Sequence, residues 1–363
     1  MSSLFSIELL PALDGECLWI EYGDPQDPHR ILIDAGRAGT HKEVLRRIEA
    51  AARPVHFELI VITHVDLDHI GGVLKLLSMK KPPLTVGDIW FNGRRHLGEC
   101  APLPRGPLQG EEMTSLLERL KLPWNEAFSP ADITPRSPRA VALSADGRRP
   151  QKTLPGGMAL TILSPSREKL QRLIPLWDEE VRNWRERGGL RIDDQALGAG
   201  ETGKRLRFET LVSAPFTPDD SPFNGSSIAM LAEFDGKRAL LGADAHPDLL
   251  LEGVRAISPA PGGRLRVDAF KLPHHGSRRN LSREIIEAVQ CPRFLVSTDS
   301  RRFGHPDPEA LARVIQFGGE RPELIFNYRT EKTLAWKKPA WMKKYGYGVR
   351  YLDAPKDPGK VIL

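Results

Sequence analysis

The sequence predicts an α/β fold on three observations. The apolar run Leu59-Ile60-Val61-Ile62 leads into Thr63-His64-Val65-Asp66-Leu67-Asp68-His69-Ile70-Gly71-Gly72, and Val73, Leu74, Leu76 and Leu77 follow at helical spacing. That is a buried strand, a turn and a helix. Asp268-Ala-Phe-Lys-Leu272 reads as a second strand running into Pro273-His274-His275-Gly276-Ser277. Residues from Asn224 to Leu231 and Arg238 to Leu241, joined by an Asp235-Gly236 turn, read as a β-hairpin.

The composition allows this and excludes other classes. The chain has 363 residues, 40% of them hydrophobic, enough for one large domain or two ordinary ones. No apolar run reaches spanning length, so no membrane role is expected. The first residues lack a basic stretch followed by an apolar core, so no secretion signal is expected. Cys17, Cys100 and Cys291 are odd in number and widely spaced. They give no disulfide framework and no cysteine zinc site, and a cytoplasmic location is expected. Residues 329–363 hold nine Lys or Arg against three Asp or Glu, while the whole chain carries only +5. A basic tail on a near-neutral body points to an anionic partner, with a solvated face as the competing reading.

In order, residues 5–10, 17–22 and 30–34 read as strands separated by turns at Asp14-Gly15 and Gly23-Asp24-Pro25. Thr40-His41-Lys42-Glu43 is a capping-box pattern opening a helix to about Ala52. Asp88–Asn92 is a short strand. His96 is the single histidine between His69 and His246; a surface loop position competes with a ligand role for it. A helix is expected near Glu111–Lys121 and a strand over Ala159–Leu163. Ser166 can cap a helix reaching Trp184, with Pro175 expected to kink or break it. Residues 187–222 read as loop. Arg293–Thr298 is a strand, and a helix is expected over Pro308–Phe317. Lys337, Lys338, Lys343 and Lys344 are grouped with Trp336, Trp341, Tyr345 and Tyr347, the pairing of cations and rings that serves phosphates and bases.

The segment His-x-Asp-x-Asp-His-x-Gly-Gly after an apolar strand resembles the signature of the metallo-β-lactamase superfamily. Asp66 stands where most members have His. That variant, with Asn224-x-x-Ser227, Pro273-His-His-Gly-Ser277 and Phe303-Gly-His305-Pro, resembles the metallo-hydrolase domain of ComEC-type DNA-uptake proteins. The resemblance covers roughly residues 3–95 and 222–336. It implies a four-layer αββα fold, two mixed sheets in a sandwich with helices outside. Residues 1–97 and 222–336 would be its halves, 98–221 an insertion able to act as a lid, and 337–363 a basic aromatic tail closing the fold.

The resemblance also implies a site. Two divalent ions, zinc or manganese, would be held by His64, Asp66, Asp68, His69, Asp244 and His274, with Asp244 bridging. His64 and Asp66 would hold the first ion, and Asp68 and His69 the second. Adjacent histidines on an extended segment point oppositely, so His274 is expected as ligand and His275 beside substrate. Asp68, His275 and His305 are the expected catalytic residues, with Asp34, Asn224, Ser227 and Ser277 bracing them. Asp66 makes the first position harder and more anionic, which favours manganese. The implied activity is a phosphodiesterase or nuclease using metal-activated hydroxide on DNA or another nucleic acid. Free-standing members of this subgroup occur in antiviral systems, which adds a companion protein as an expected partner. Two alternatives stay open: a hydrolase of a small phosphoester, nucleotide, thioester or lactone, and a non-catalytic partner subunit.

Overall fold

Strands β1 (Leu4–Leu9), β2 (Leu18–Asp24) and β3 (Asp27–Ile33) form an antiparallel meander. Strand β4 (Val55–Val61) then pairs parallel to β3 after helix α1 (His41–Ala50), and β5 (Leu84–Trp90) parallel to β4 after helix α2 (Leu67–Leu77). Parallel neighbours need such crossovers, and the helices cover the sheet face they cross. The structure, a computed structural model, describes residues 3–51, 54–98, 109–128, 139–186, 206–260, 262–354, 357 and 359–363, leaving aside the side chains of 184–186.

The next helices are α3 (Gln109–Leu120) and, after β6 (Gln151–Thr153) and β7 (Ala159–Ser164), α4 (Arg167–Glu186). Short helices α5 (Phe208–Val212) and α6 (Pro222–Gly225) precede β8 (Ala229–Phe234) and β9 (Lys237–Leu241). Then come α7 (Pro247–Ile257), β10 (Leu265–Arg266), β11 (Ala269–Lys271), α8 (Arg283–Ala288), β12 (Val289–Gln290), β13 (Arg293–Val296), α9 (Pro308–Phe317) and β14 (Glu323–Phe326). The chain closes with α10 (Glu331–Leu334), α11 (Pro339–Tyr345), β15 (Gly348–Tyr351) and β16 (Lys360–Ile362).

Among the described residues the first sheet runs β16-β1-β2-β3-β4-β5 and the second β15-β14-β13-β11-β9-β8-β7-β6. Between them lies one apolar layer, with Ile7, Leu18, Ile31, Leu59 and Trp90 from the first meeting Leu160, Ile162, Met230, Leu241, Leu295 and Ile325 from the second. Two further buried clusters sit under the outer helices, one against each sheet. This is the αββα sandwich that the sequence predicts.

Several local expectations change. Thr40 is already helical, in a short 3-10 turn, and its hydroxyl donates to the Ala35 and Arg37 carbonyls rather than capping α1. Helix α4 continues past Pro175 without a break, with Ser166 accepting the Lys169 N–H. Residues 98–221, expected as an insertion, give β6 and β7 to the second sheet and place Met113, Leu116, Leu117 and Trp177 in the core under α2. These parts are scaffold; the remainder of that span, residues 99–108, 129–138 and 187–205, lies outside the described residues. Helix α5, in the stretch read as loop, packs Phe208 on Tyr345 of α11 with ring centroids 3.7 Å apart.

Candidate metal centre

The strand-to-helix turn after β4 is positioned by Asp34, which follows β3. Asp34 is fully buried and left-handed, at φ 55°. Its Oδ1 accepts the Thr63 N–H at 2.9 Å, and its Oδ2 accepts the Thr63 hydroxyl and His69 Nδ1–H, each at 2.7 Å. Gly72 lets α2 press onto this loop, since a Cβ there would lie 2.0 Å from the Ala35 carbonyl oxygen. Gly15 does the same on the other side, 1.9 Å from the Asp68 carbonyl oxygen. Asp66 precedes α2 in extended conformation, and Asp68 and His69 stand in its first turn.

Four histidines share one orientation. His64 gives Nδ1–H to Thr63 Oγ1 at 3.0 Å, His69 to Asp34, His275 to the Ser297 carbonyl at 2.8 Å, and His274 to Asn280 Oδ1 at 3.0 Å. Each outward nitrogen is committed, so each Nε2 faces inward. They face Asp244, which follows β9. Its Oδ2 lies 3.5 Å from His69 Nε2, 3.8 Å from His274 Nε2, and 3.9 Å from both His64 and His275 Nε2. Asp66 Oδ2 is 3.4 Å from His64 Nε2, and Asp68 Oδ2 is 3.4 Å from His275 Nε2.

Buried polar atoms are nearly always paired, yet His64 Nε2, His69 Nε2, His275 Nε2 and Asp244 Oδ1 are buried with no hydrogen-bond partner. Separations of 3.4–3.9 Å are long for hydrogen bonds but suit donors sharing a cation through bonds of about 2 Å. Two three-donor groups meet this test, His64–His69–Asp244 and Asp68–His69–His275. The residues therefore fit divalent metal. The electrostatics agree. Burial opposes charge throughout, yet the histidines hold Asp68 and Asp244 below the usual carboxylate range. In turn Asp244 and Asp34 hold His69 above the usual imidazole value, and Asp244 with Asp219 raises His274 to about 9.

A family model described as the metallo-β-lactamase superfamily matches residues 15–140, the span that holds Asp34 and the whole turn from His64 to His69. The chain has the metallo-β-lactamase fold. ComE operon protein 3 of Bacillus subtilis is 27% identical over 135 residues, 37% of this chain and 16% of that relative. The match is thus to a small part of a much longer protein.

In this centre the structure brings together His64, Asp66, Asp68, His69, Asp244, His274 and His275. The Pro-His-His turn departs from expectation. His274 and His275 are not extended but left-handed, at φ 46° and 54°, so both rings turn inward rather than opposing each other. His275, fully buried, completes a donor group with Asp68 and His69; His274 is the partly exposed member, its side chain 25% accessible. His305 lies beside them, its ring 5.1 Å from His274, with Nδ1 3.5 Å from Asp307. Burial lowers its pKa more than Asp307 raises it.

Asn224 donates to Asp219 Oδ2 at 2.7 Å, and Ser277 accepts the Arg279 N–H within the turn. Ser227 is buried beside Ile228, whose N–H donates to the Thr63 carbonyl. His96 is neither ligand nor surface residue. It is buried edge-on to Trp124, its Nδ1 accepts the Gly93 N–H, and burial lowers its pKa to about 3. Sequence reasoning passed over Asp219 and Asn280, which hold His274, and Ser297, which holds His275. Only Asp219 had a local signal, the Asp219-Asp220 pair. The four tail lysines are exposed; Lys337 lies over Tyr351, Lys338 over Trp341, and Lys344 pairs with Glu209 of α5.

Proposed function

We propose that this chain is a metal-dependent phosphodiesterase acting on nucleic acid. The observation that carries the reading is the convergence of buried, partnerless histidine and aspartate atoms around Asp244. His64, Asp66 and Asp244 would hold one divalent ion, and Asp68, His69 and His275 a second, with Asp244 between them. When bound, such ions activate water and neutralise charge on a phosphate. The chain's own part is orientation and proton handling. Asp68, ionised, is suited to accept a hydrogen bond from the attacking water. His274, protonated at neutral pH, faces Asp244 from the open side and suits a non-bridging phosphate oxygen. His305, neutral, can contact phosphate at the same edge.

The basic tail supports an anionic polymer as substrate, as does the resemblance to the hydrolase domain of DNA-uptake proteins. A companion protein and an antiviral setting belong to this reading through the same resemblance. The carboxylates Asp66, Asp68 and Asp244 favour manganese at least as much as zinc. The test is to strip the protein with chelator, restore single metals, and measure cleavage of labelled DNA and of bis(p-nitrophenyl) phosphate. Metal-restored cleavage of both supports the reading; undiminished cleavage after thorough chelation refutes it.

A further inference from the structure

His274 is the partly exposed histidine of the centre, so packing fixes its ring less than it fixes the buried His69 or His275. Its outward nitrogen donates to Asn280 Oδ1 at 3.0 Å and lies 3.4 Å from Asp219 Oδ2. Asp219 belongs to no helix or strand. It keeps its place by accepting hydrogen bonds: the Asn224 and Asn280 amides on Oδ2 at 2.7 and 3.0 Å, and the Ser221 N–H on Oδ1 at 3.1 Å.

The far side of this loop is held by a histidine outside the donor set. His246 is buried, and both its ring nitrogens are engaged. Nε2 lies 2.8 Å from the Ser221 carbonyl oxygen and Nδ1 lies 2.9 Å from Lys169 Nζ. An ammonium only donates and a carbonyl only accepts. The ring is therefore fixed as the tautomer that accepts from Lys169 at Nδ1 and donates to Ser221 from Nε2. Lys169, on α4, is largely withdrawn from water, and Asp248 at 2.7 Å compensates its charge. Gly225 admits the imidazole to α6, since a Cβ there would lie 2.9 Å from His246 Cε1.

These contacts close a circuit. His246 stands two residues after Asp244. The Asp244 and Ala245 carbonyls accept the Asn280 amide at 3.4 and 3.2 Å, and the same amide donates to Asp219. Asp219 accepts from Ser221, and Ser221 accepts from His246. Asn280 and His246 are thus two crossings between the segment that carries Asp244 and the loop that carries Asp219. With His246 removed, the loop hinges on Asn280, and the support of His274 is no longer set against Asp244. The circuit also gives α4, in the stretch that the sequence presents as an insertion, a fixed link to the centre.

We propose that His246 is a positioning residue for the reaction, acting through Ser221 and Asp219 to aim His274 at Asp244, with Lys169 setting its tautomer. The proposal rests on the proposed function for the reaction itself, but the geometry is measured separately. Substitutions at position 246 separate the two bonds. His246→Gln puts an amide donor near the place of Nε2, His246→Asn an acceptor near that of Nδ1 alone, and His246→Leu neither. In crystal structures of the chelated full-length protein, the contact between Asp219 and His274 should persist in the parent and in His246→Gln and be lost in His246→Leu and His246→Asn. With manganese restored, kcat for bis(p-nitrophenyl) phosphate should fall about 10- to 100-fold in those two while metal content is kept, and His246→Gln should recover most of it. Lys169→Met, which lets the ring turn its lone pair on the Ser221 carbonyl, should weaken the same contact and lower kcat. In a His274→Ala background His246→Leu should cost no further turnover, because residues acting through one group are not additive. Losses that multiply in that double variant, equal loss in all three variants at position 246, metal loss in His246→Leu, or an unmoved Asp219–His274 contact overturn the proposal. Thermal melting checks folding. Where His246→Leu does not fold, Lys169→Met, which keeps the imidazole, decides by the same contact and turnover. A parent protein without metal-restored hydrolysis refutes the proposed function, and the crystallographic contact still decides the role of His246.

Discussion

Asp34 and His69 are joined by a 2.7 Å hydrogen bond between two side chains with no solvent exposure. The bond fixes which His69 nitrogen carries the proton and aims the other at Asp244. Asp34→Asn keeps the shape but sets an amide donor against Nδ1–H. Metal affinity is expected to fall about 10- to 100-fold, as loss of such a supporting carboxylate does. Competition with a chelating dye measures it; unchanged affinity would show that the bond does not orient the ligand.

Asp244 faces four imidazoles, so its loss should be felt at both donor groups. Asp244→Ala, His64→Ala and His275→Ala are each expected to lower metal content and abolish phosphodiester hydrolysis. His274→Ala, at the open edge, should retain metal while turnover falls. Metal content by elemental analysis beside turnover separates the two; full metal loss in His274→Ala would make it a ligand equal to His275.

His96 predicts a pH effect on stability. Its folded pKa of about 3 lies below the usual value of about 6.5. Between these values the unfolded chain binds the proton and the folded chain does not. Stability from this residue is therefore complete above the upper value and lost as pH falls towards the lower. In urea unfolding, His96→Leu should show a smaller drop in unfolding free energy between about pH 7 and pH 4.5 than the parent, by up to about 1.4 kcal/mol per pH unit. Identical drops would contradict the assignment.

Lys271 on β11 and Glu16 beside β2 form an ion pair with both side chains essentially unexposed. Glu16 also receives the Gly36 N–H on its carbonyl, so the pair ties the second sheet to the metal loop. Lys271→Met alone is expected to cost about 3–5 kcal/mol, because it strands a buried carboxylate. Adding Glu16→Leu should recover most of that. Denaturant unfolding of both variants tests it; no recovery in the double variant would mean that the pair is more than balanced charge.

Much of the centre was legible because its donors are local. His64, Asp66, Asp68 and His69 fall within one turn, where residue type and spacing already imply convergence. Asp244 was legible from its place after a hairpin. The direction of His274 and His275 was not, because it depends on left-handed backbone conformation rather than on the strand geometry the sequence implied. Asp219 was hidden because it reaches His274 and Asn280 only through tertiary contact, and Asn280 because a single amide after the turn carries no pattern of its own. Thr40 offered a capping pattern, but the Ala35 carbonyl competed successfully for its hydroxyl. Strand β7 was expected, but its pairing with β8 and the short β6 beside it were not, because they lie in a polar stretch that read as an insertion.

The pairing of β1 with β16 has a consequence for synthesis. Ser6, Ile7 and Glu8 are bonded to Ile362, Val361 and Lys360, at the far end of the chain. On the ribosome β2 to β5 can assemble on one side of β1 early, while its other edge waits for β16 to emerge. An open apolar strand edge recruits other chains, and contacts this distant in sequence form slowly. The nascent protein is therefore most prone to aggregate just before β16 is released, and stalling or truncation ahead of that strand should turn a folding chain into a sticky one.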